Sequence, residues 1–85
     1  MKKITKLKKE ILGGSTIGLG AHIIWTWSIG DDEFHTDKFG TGLWKNDRQI
    51  RGTCDWRLGN ISQSWARRKI QRDVVAVEYE FDECN

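Results

Sequence analysis

The first regular pattern in the chain is HIIWTWSI, residues 22–29. Ile23, Trp25, Trp27 and Ile29 fall on one face, and Ile24, Thr26 and Ser28 on the other. Period-two alternation of β-branched and aromatic residues predicts a half-buried strand. Gly30 and Asp31 follow as a turn signal. The stretch FGTGLWKND, residues 39–47, sets two glycines before an apolar pair and ends on Asn46-Asp47. That order predicts a hairpin or a bulged strand. Alternation returns in GTCDWRLGN, with Cys54, Trp56 and Leu58 on one side and Asp55 and Arg57 on the other. A last alternating run, VVAVEYEFDE, places Val75, Val77, Tyr79 and Phe81 on a predicted core face and Ala76, Glu78, Glu80 and Asp82 opposite.

One segment fits two periods. In ISQSWARRKIQR, residues 61–72, a helix puts Ile61 and Trp65 on one face, with Ser62 as its cap. A strand instead groups Ser62, Ser64, Ala66, Arg68 and Ile70. Both forms stay open from the sequence. Several short strands separated by Gly-rich turns predict an all-β fold, a small antiparallel β-sandwich of two short sheets.

Charge divides the chain. Lys2, Lys3, Lys6, Lys8 and Lys9 occupy the first nine residues without an acid among them. From His22 onward nine basic residues face eleven acidic ones, a net charge of −2. A duplex-DNA binder carries its basic footprint on the folded part, so duplex nucleic acid is not an expected partner. After Glu10, the run ILGGSTIGLGA is uncharged. Basic, then apolar, then small residues is the order of a secretory signal peptide. Residues 1–21 are therefore expected to be a signal peptide or leader, leaving 22–85 as a single small β domain. Cleavage after Gly14, as in double-glycine leaders, and an uncleaved basic arm on a cytoplasmic protein are the alternatives. The run is too short and too rich in glycine to span a bilayer as a helix.

A chain this short buries only ~60% of its unfolded surface and is marginal without a staple. Trp is the aromatic of choice here, with five copies, and each buries roughly 150–250 Å². In an exported protein Cys54 and Cys84 are expected to form a disulfide. It would close a loop of about thirty residues and stabilise the fold by ~3–4 kcal/mol in the chain-entropy account. In the cytoplasm they are expected to remain thiols.

Candidate chemistry is sparse. DDEFHTD gathers Asp31, Asp32, Glu33, His35 and Asp37. It lacks the spaced acids and glycine of a calcium loop and a second histidine at zinc spacing, so it reads as a solvated acidic turn. No metal or other cofactor is expected. No Ser or Cys stands in a nucleophile motif, and an enzyme is not expected. SWARRK is the exception. Trp65 stands beside Arg67, Arg68 and Lys69, with Arg72 close behind. An aromatic next to a basic cluster grips phosphate and stacks on a flat group. Trp65, Arg67 and Arg68, joined by His35 and Lys38, form the candidate binding site.

FHTDKFGTGLWKND resembles a stretch of the lactococcin 972 family of bacteriocins, through Phe34, His35, Lys38, Gly40, Lys45 and Asn46. Upstream, Trp25, Trp27 and Gly30 are similar to the family's early aromatic strand. Downstream, SWARRK is similar to its aromatic-Ala-basic segment, and Tyr79 and Phe81 to its closing strand. The pieces occur in the same order over about residues 25–81. The resemblance implies a secreted two-sheet β-sandwich that acts on bacteria through the cell-wall precursor lipid II, without catalysis. Lipid II or another anionic cell-envelope target is the expected partner, and a second copy of the chain, as a homodimer, is a further one. The alternative is a small cytoplasmic interaction or inhibitor protein of a phage or mobile element.

Overall fold

The structure, a computed structural model, describes residues 3–12, 22–50 and 56–77. Among these residues five strands form one antiparallel sheet in chain order: β1 (Ile4–Leu12), β2 (His22–Ile29), β3 (Asp32–His35), β4 (Trp44–Lys45) and β5 (Arg48–Gln49). Helix α1 (Gln63–Ile70) runs on into a π turn over Gln71–Val75. The fold is mainly β. Among the described residues the strands make a single sheet, with α1 over the core, rather than the two sheets of the expected sandwich.

β2 is the centre of the fold, and its alternation holds throughout. Ile23, Trp25, Trp27 and Ile29 are buried, and the residues between them are half-exposed. The turn to β3 has Gly30 at φ 62°, the position where a tight two-residue hairpin needs a glycine. The β4–β5 turn has positive φ at both Asn46 (49°) and Asp47 (67°). Short polar side chains tolerate that conformation best. Asn46 also ties its turn to β3, donating to Asp32 Oδ1 at 3.0 Å and accepting from the Glu33 N–H at 2.9 Å.

The lysine-rich start is a strand. β1 pairs antiparallel with β2 from Ile4↔Ile29 to Leu12↔His22. A bulge between Thr5 and Lys8, with Lys6 at φ 56°, shifts its register by one residue. The shift matters because Ile4 and Leu7 are three apart, the wrong spacing for one face of a regular strand. The extra residue brings Leu7 against the core beside buried Ile4 and turns Lys6 and Lys8 outward. Lys9 then lies inward, with its ammonium 5.6 Å from the Trp25 ring and bonded to Asn60 Oδ1 (2.5 Å) and the Ile61 carbonyl (3.1 Å).

Residues 56–58 run beside residues 40–42. Gly42 N–H donates to the Trp56 carbonyl at 2.8 Å, and Leu58 N–H to the Gly40 carbonyl at 2.7 Å. Trp56 and Leu58 are buried and Arg57 is exposed, as the alternation predicts.

Of the two forms left open for residues 61–72, residues 63–70 take the helix. One expectation for the last third needs correction: the strand expected from Val74 does not form through Val77. Val74 is fully buried, Val75 half-buried and Val77 exposed. Ala66, Ile70 and Val74 are the buried residues, four apart. Each four-residue step overshoots an α turn by about 40°. The wider π turn, closed by Ala76 N–H to the Gln71 carbonyl at 3.1 Å, offsets that drift and keeps Val74 inward. Ser62 caps the helix, its hydroxyl accepting from the Trp65 N–H at 3.3 Å. Trp65 is therefore on the outer side of the helix, not on its core face. Tyr79, Phe81 and the Cys54–Cys84 pair lie outside the described residues.

Candidate functional site

The segment 57–61 and the outer side of α1 enclose a cleft of about 500 Å³. Its walls are Leu58, Ile61 and Trp65, and its rim is Arg57, Arg68, Lys69 and Arg72. Backbone packing holds the first wall. Gly40 approaches residue 59 so closely that a Cβ on it would lie 2.9 Å from the Gly59 nitrogen. The Trp25 indole N–H donates to the Gly59 carbonyl at 2.8 Å. The second wall is the helix, anchored by Ala66 and Ile70 in the core.

The cations differ in how they are held. Arg72 pairs with Asp73 at 2.7 Å. Asp73 also accepts from the Trp56 indole N–H at 2.9 Å. The Arg72 hydrogen bonds hold the Asp73 carboxyl below the ordinary carboxylate range. Partial burial pushes it up, and the Trp56 bond and the charges of Arg72 and Lys69 push it down again. Lys69 donates to the Arg57 carbonyl at 2.5 Å, with its ammonium 5.8 Å from the Trp56 ring. Arg68 stacks on Trp65, its guanidinium 5.4 Å from the ring centroid. Arg57 and Arg68 have no acidic partner among the described residues. The indole they flank is 63% exposed, the most exposed large apolar side chain described. Two guanidinium groups without an acidic partner, beside an open indole, suit a phosphate oxygen cluster attached to an apolar or flat group.

The expected site residues are not all brought together. Trp65 and Arg68 meet in this cleft. Arg67 does not share it: its guanidinium donates to the Ile4 carbonyl at 3.2 Å and ties α1 to β1. His35 stacks on Trp44 at 5.8 Å and faces a different cleft on the outer face of the sheet, with Lys6, Lys8, Thr26 and Glu33. Lys38 lies over Phe39 at 5.3 Å. Arg57 and Ile61 belong to the site and were absent from the expected set. Arg57 was legible as the outward residue between Trp56 and Leu58, but nothing local connects it to α1.

Asp37 organises a turn. Its carboxylate accepts from the Phe39 N–H (2.8 Å), the Thr41 N–H (3.0 Å) and the Thr41 hydroxyl (2.7 Å). Partial burial pushes its carboxyl up, but those bonds and the Lys38 charge outweigh it and leave it below the ordinary range. Among the described residues no group of three His, Cys, Asp or Glu side chains is placed to hold a metal. No helix among them is long and apolar enough to cross a membrane. Comparison with protein-family models, curated proteins and solved structures finds no match to this chain.

Proposed function

We propose that the chain is a binding protein without catalytic activity, and that it binds through the Trp65–Arg68 cleft. Its ligand class is an amphiphile that joins phosphate or diphosphate to an apolar chain. Lipid II is such a molecule. With the lactococcin 972 resemblance, this makes the protein a secreted antibacterial of that type. The five-stranded sheet is then one layer of the two-sheet sandwich that the resemblance implies. The observation that carries the proposal is the exposure of Trp65, at 63%, with Arg68 stacked on it and Arg57 across the cleft. Guanidinium forks take the phosphate oxygens bidentately, and Leu58, Ile61 and the indole take the first carbons of the chain.

The test is the double substitution Arg57→Ala with Arg68→Ala. Each lost charge-assisted contact weakens binding roughly 10- to 100-fold. Titration calorimetry with lipid II should show that loss, and antibacterial activity should fall with it. A folded double variant that keeps both places the site elsewhere.

The small cytoplasmic interaction or inhibitor protein is the second candidate, and one observation favours it. Ile4 is only 5% exposed, and β1 lines the whole of β2. Removing residues 1–21 would strip that strand from the sheet. The mass of the protein from its native host, and the fraction that holds it, separate the two candidates. A full-length cytosolic protein favours the second. A shortened protein in the medium favours the first.

A further inference from the structure

Three of the large apolar side chains most exposed among the described residues are Ile11 (56%), Phe39 (58%) and Trp65 (63%). Pairing places the first two in one row. Ile11 pairs with Ile23, and Ile23 bridges to Phe39, so the two exposed side chains flank one buried isoleucine. Residues 58–61 link this row to Trp65. Gly40, next to Phe39, touches residue 59, and Ile61 shares a cleft with Trp65. Both exposed aromatics carry a cation on the ring, Lys38 on Phe39 at 5.3 Å and Arg68 on Trp65 at 5.4 Å. His22 meets the Phe39 edge at 5.4 Å. The nearest acid in the turn, Asp37, already spends its carboxylate on three hydrogen bonds.

We propose that this end of the molecule docks on an anionic bilayer surface. Aromatic rings with a neighbouring cation suit the headgroup level, where the ring enters the interface and the charge meets lipid phosphate. Binding of this kind adds buried apolar area to attraction for anionic headgroups. The patch shares Trp65 and Arg68 with the ligand cleft, but it needs no cell-wall precursor.

The test is sedimentation of the full chain with phosphatidylcholine vesicles, with and without phosphatidylglycerol. Neither vesicle contains lipid II, so failure here leaves the ligand proposal standing. Binding to the phosphatidylglycerol vesicles and little to the neutral ones is expected. Lys38→Gln with Arg68→Gln should lower the partition about 25-fold, from about fivefold for each cation. Phe39→Ser with Trp65→Ser should abolish it, and Phe39→Leu with Trp65→Leu should retain it with an unchanged circular dichroism spectrum. No binding to anionic vesicles, equal binding to neutral ones, or full binding by the serine variant overturns the proposal.

Discussion

Among the described glycines, replacing Gly40 by alanine is expected to destabilise the protein most. Gly40 sits at φ 71°, and an added Cβ would meet the Gly59 nitrogen at 2.9 Å and its Cα at 3.1 Å. The positive φ costs an L-residue about 1 kcal/mol. The clash is with backbone, so no side-chain rotation relieves it, and residues 58–59 must move. The Gly40 carbonyl accepts from Leu58 N–H at 2.7 Å and Gly59 N–H at 3.1 Å, and both bonds weaken with that movement. At about 1 kcal/mol each, they bring the gross cost to about 3 kcal/mol. Reduced freedom in the unfolded chain returns about 0.5 kcal/mol. The net loss of about 2.5 kcal/mol is a large part of the 5–15 kcal/mol typical of a domain. Gly30 is the control, with φ 62° and nothing within 4 Å of an added Cβ. Gly30→Ala, with the same return from the unfolded chain, should cost only about 0.5 kcal/mol. Urea unfolding followed by Trp fluorescence measures both. Equal costs for the two variants would refute the close approach of residues 40 and 59, and with it the support assigned to the cleft wall.

Ile4→Ala in the full chain should cost about 2–4 kcal/mol by urea unfolding, because Ile4 is in the core; a neutral result would detach β1 from the fold. Val74→Ala should cost about 2 kcal/mol and Val77→Ala less than about 0.5 kcal/mol; the reverse order would restore a strand in place of the helix and its π turn. Asp73 is held below its ordinary value when folded, so the unfolded chain takes up its proton first as pH falls. Its contribution is full above the unfolded value and is lost as pH falls through the lower folded value. The urea midpoint of the wild type should therefore drop on acidification more steeply than that of Asp73→Asn, and parallel curves would remove the Arg72–Asp73–Trp56 link.

What the sequence made legible was what neighbours along the chain decide. The face of β2 follows from alternation at Ile23, Trp25, Trp27 and Ile29, and the β4–β5 turn from Asn46-Asp47. Trp56 and Leu58 kept their predicted face with little sheet pairing of their own. The failures lie where a distant partner decides. VVAV suits a strand by composition, yet Val74 completes the four-residue spacing begun at Ala66, and the core under α1 selects the helix. Ile4 and Leu7 match no strand period until a bulge at Lys6 is allowed, so β1 was not legible as a strand in the full chain. The binding cluster was legible as composition but not as direction. Adjacent arginines on a helix point about 100° apart, which sends Arg67 to the Ile4 carbonyl and leaves Arg68 on Trp65. Arg57 joins the candidate site through contacts distant in sequence, the approach of Gly40 to Gly59 and the Lys69 bond to the Arg57 carbonyl.

The most direct test of the binding site is a nuclear magnetic resonance titration of the full chain with a soluble isoprenoid diphosphate. The Trp65 indole N–H and the Arg57 and Arg68 side-chain signals should shift together and saturate together, while the His35 and Trp44 ring signals on the other face stay fixed. Saturable shifts at His35 and Trp44 with none at Trp65, or no shifts at all, would contradict the assignment of the cleft as the binding site.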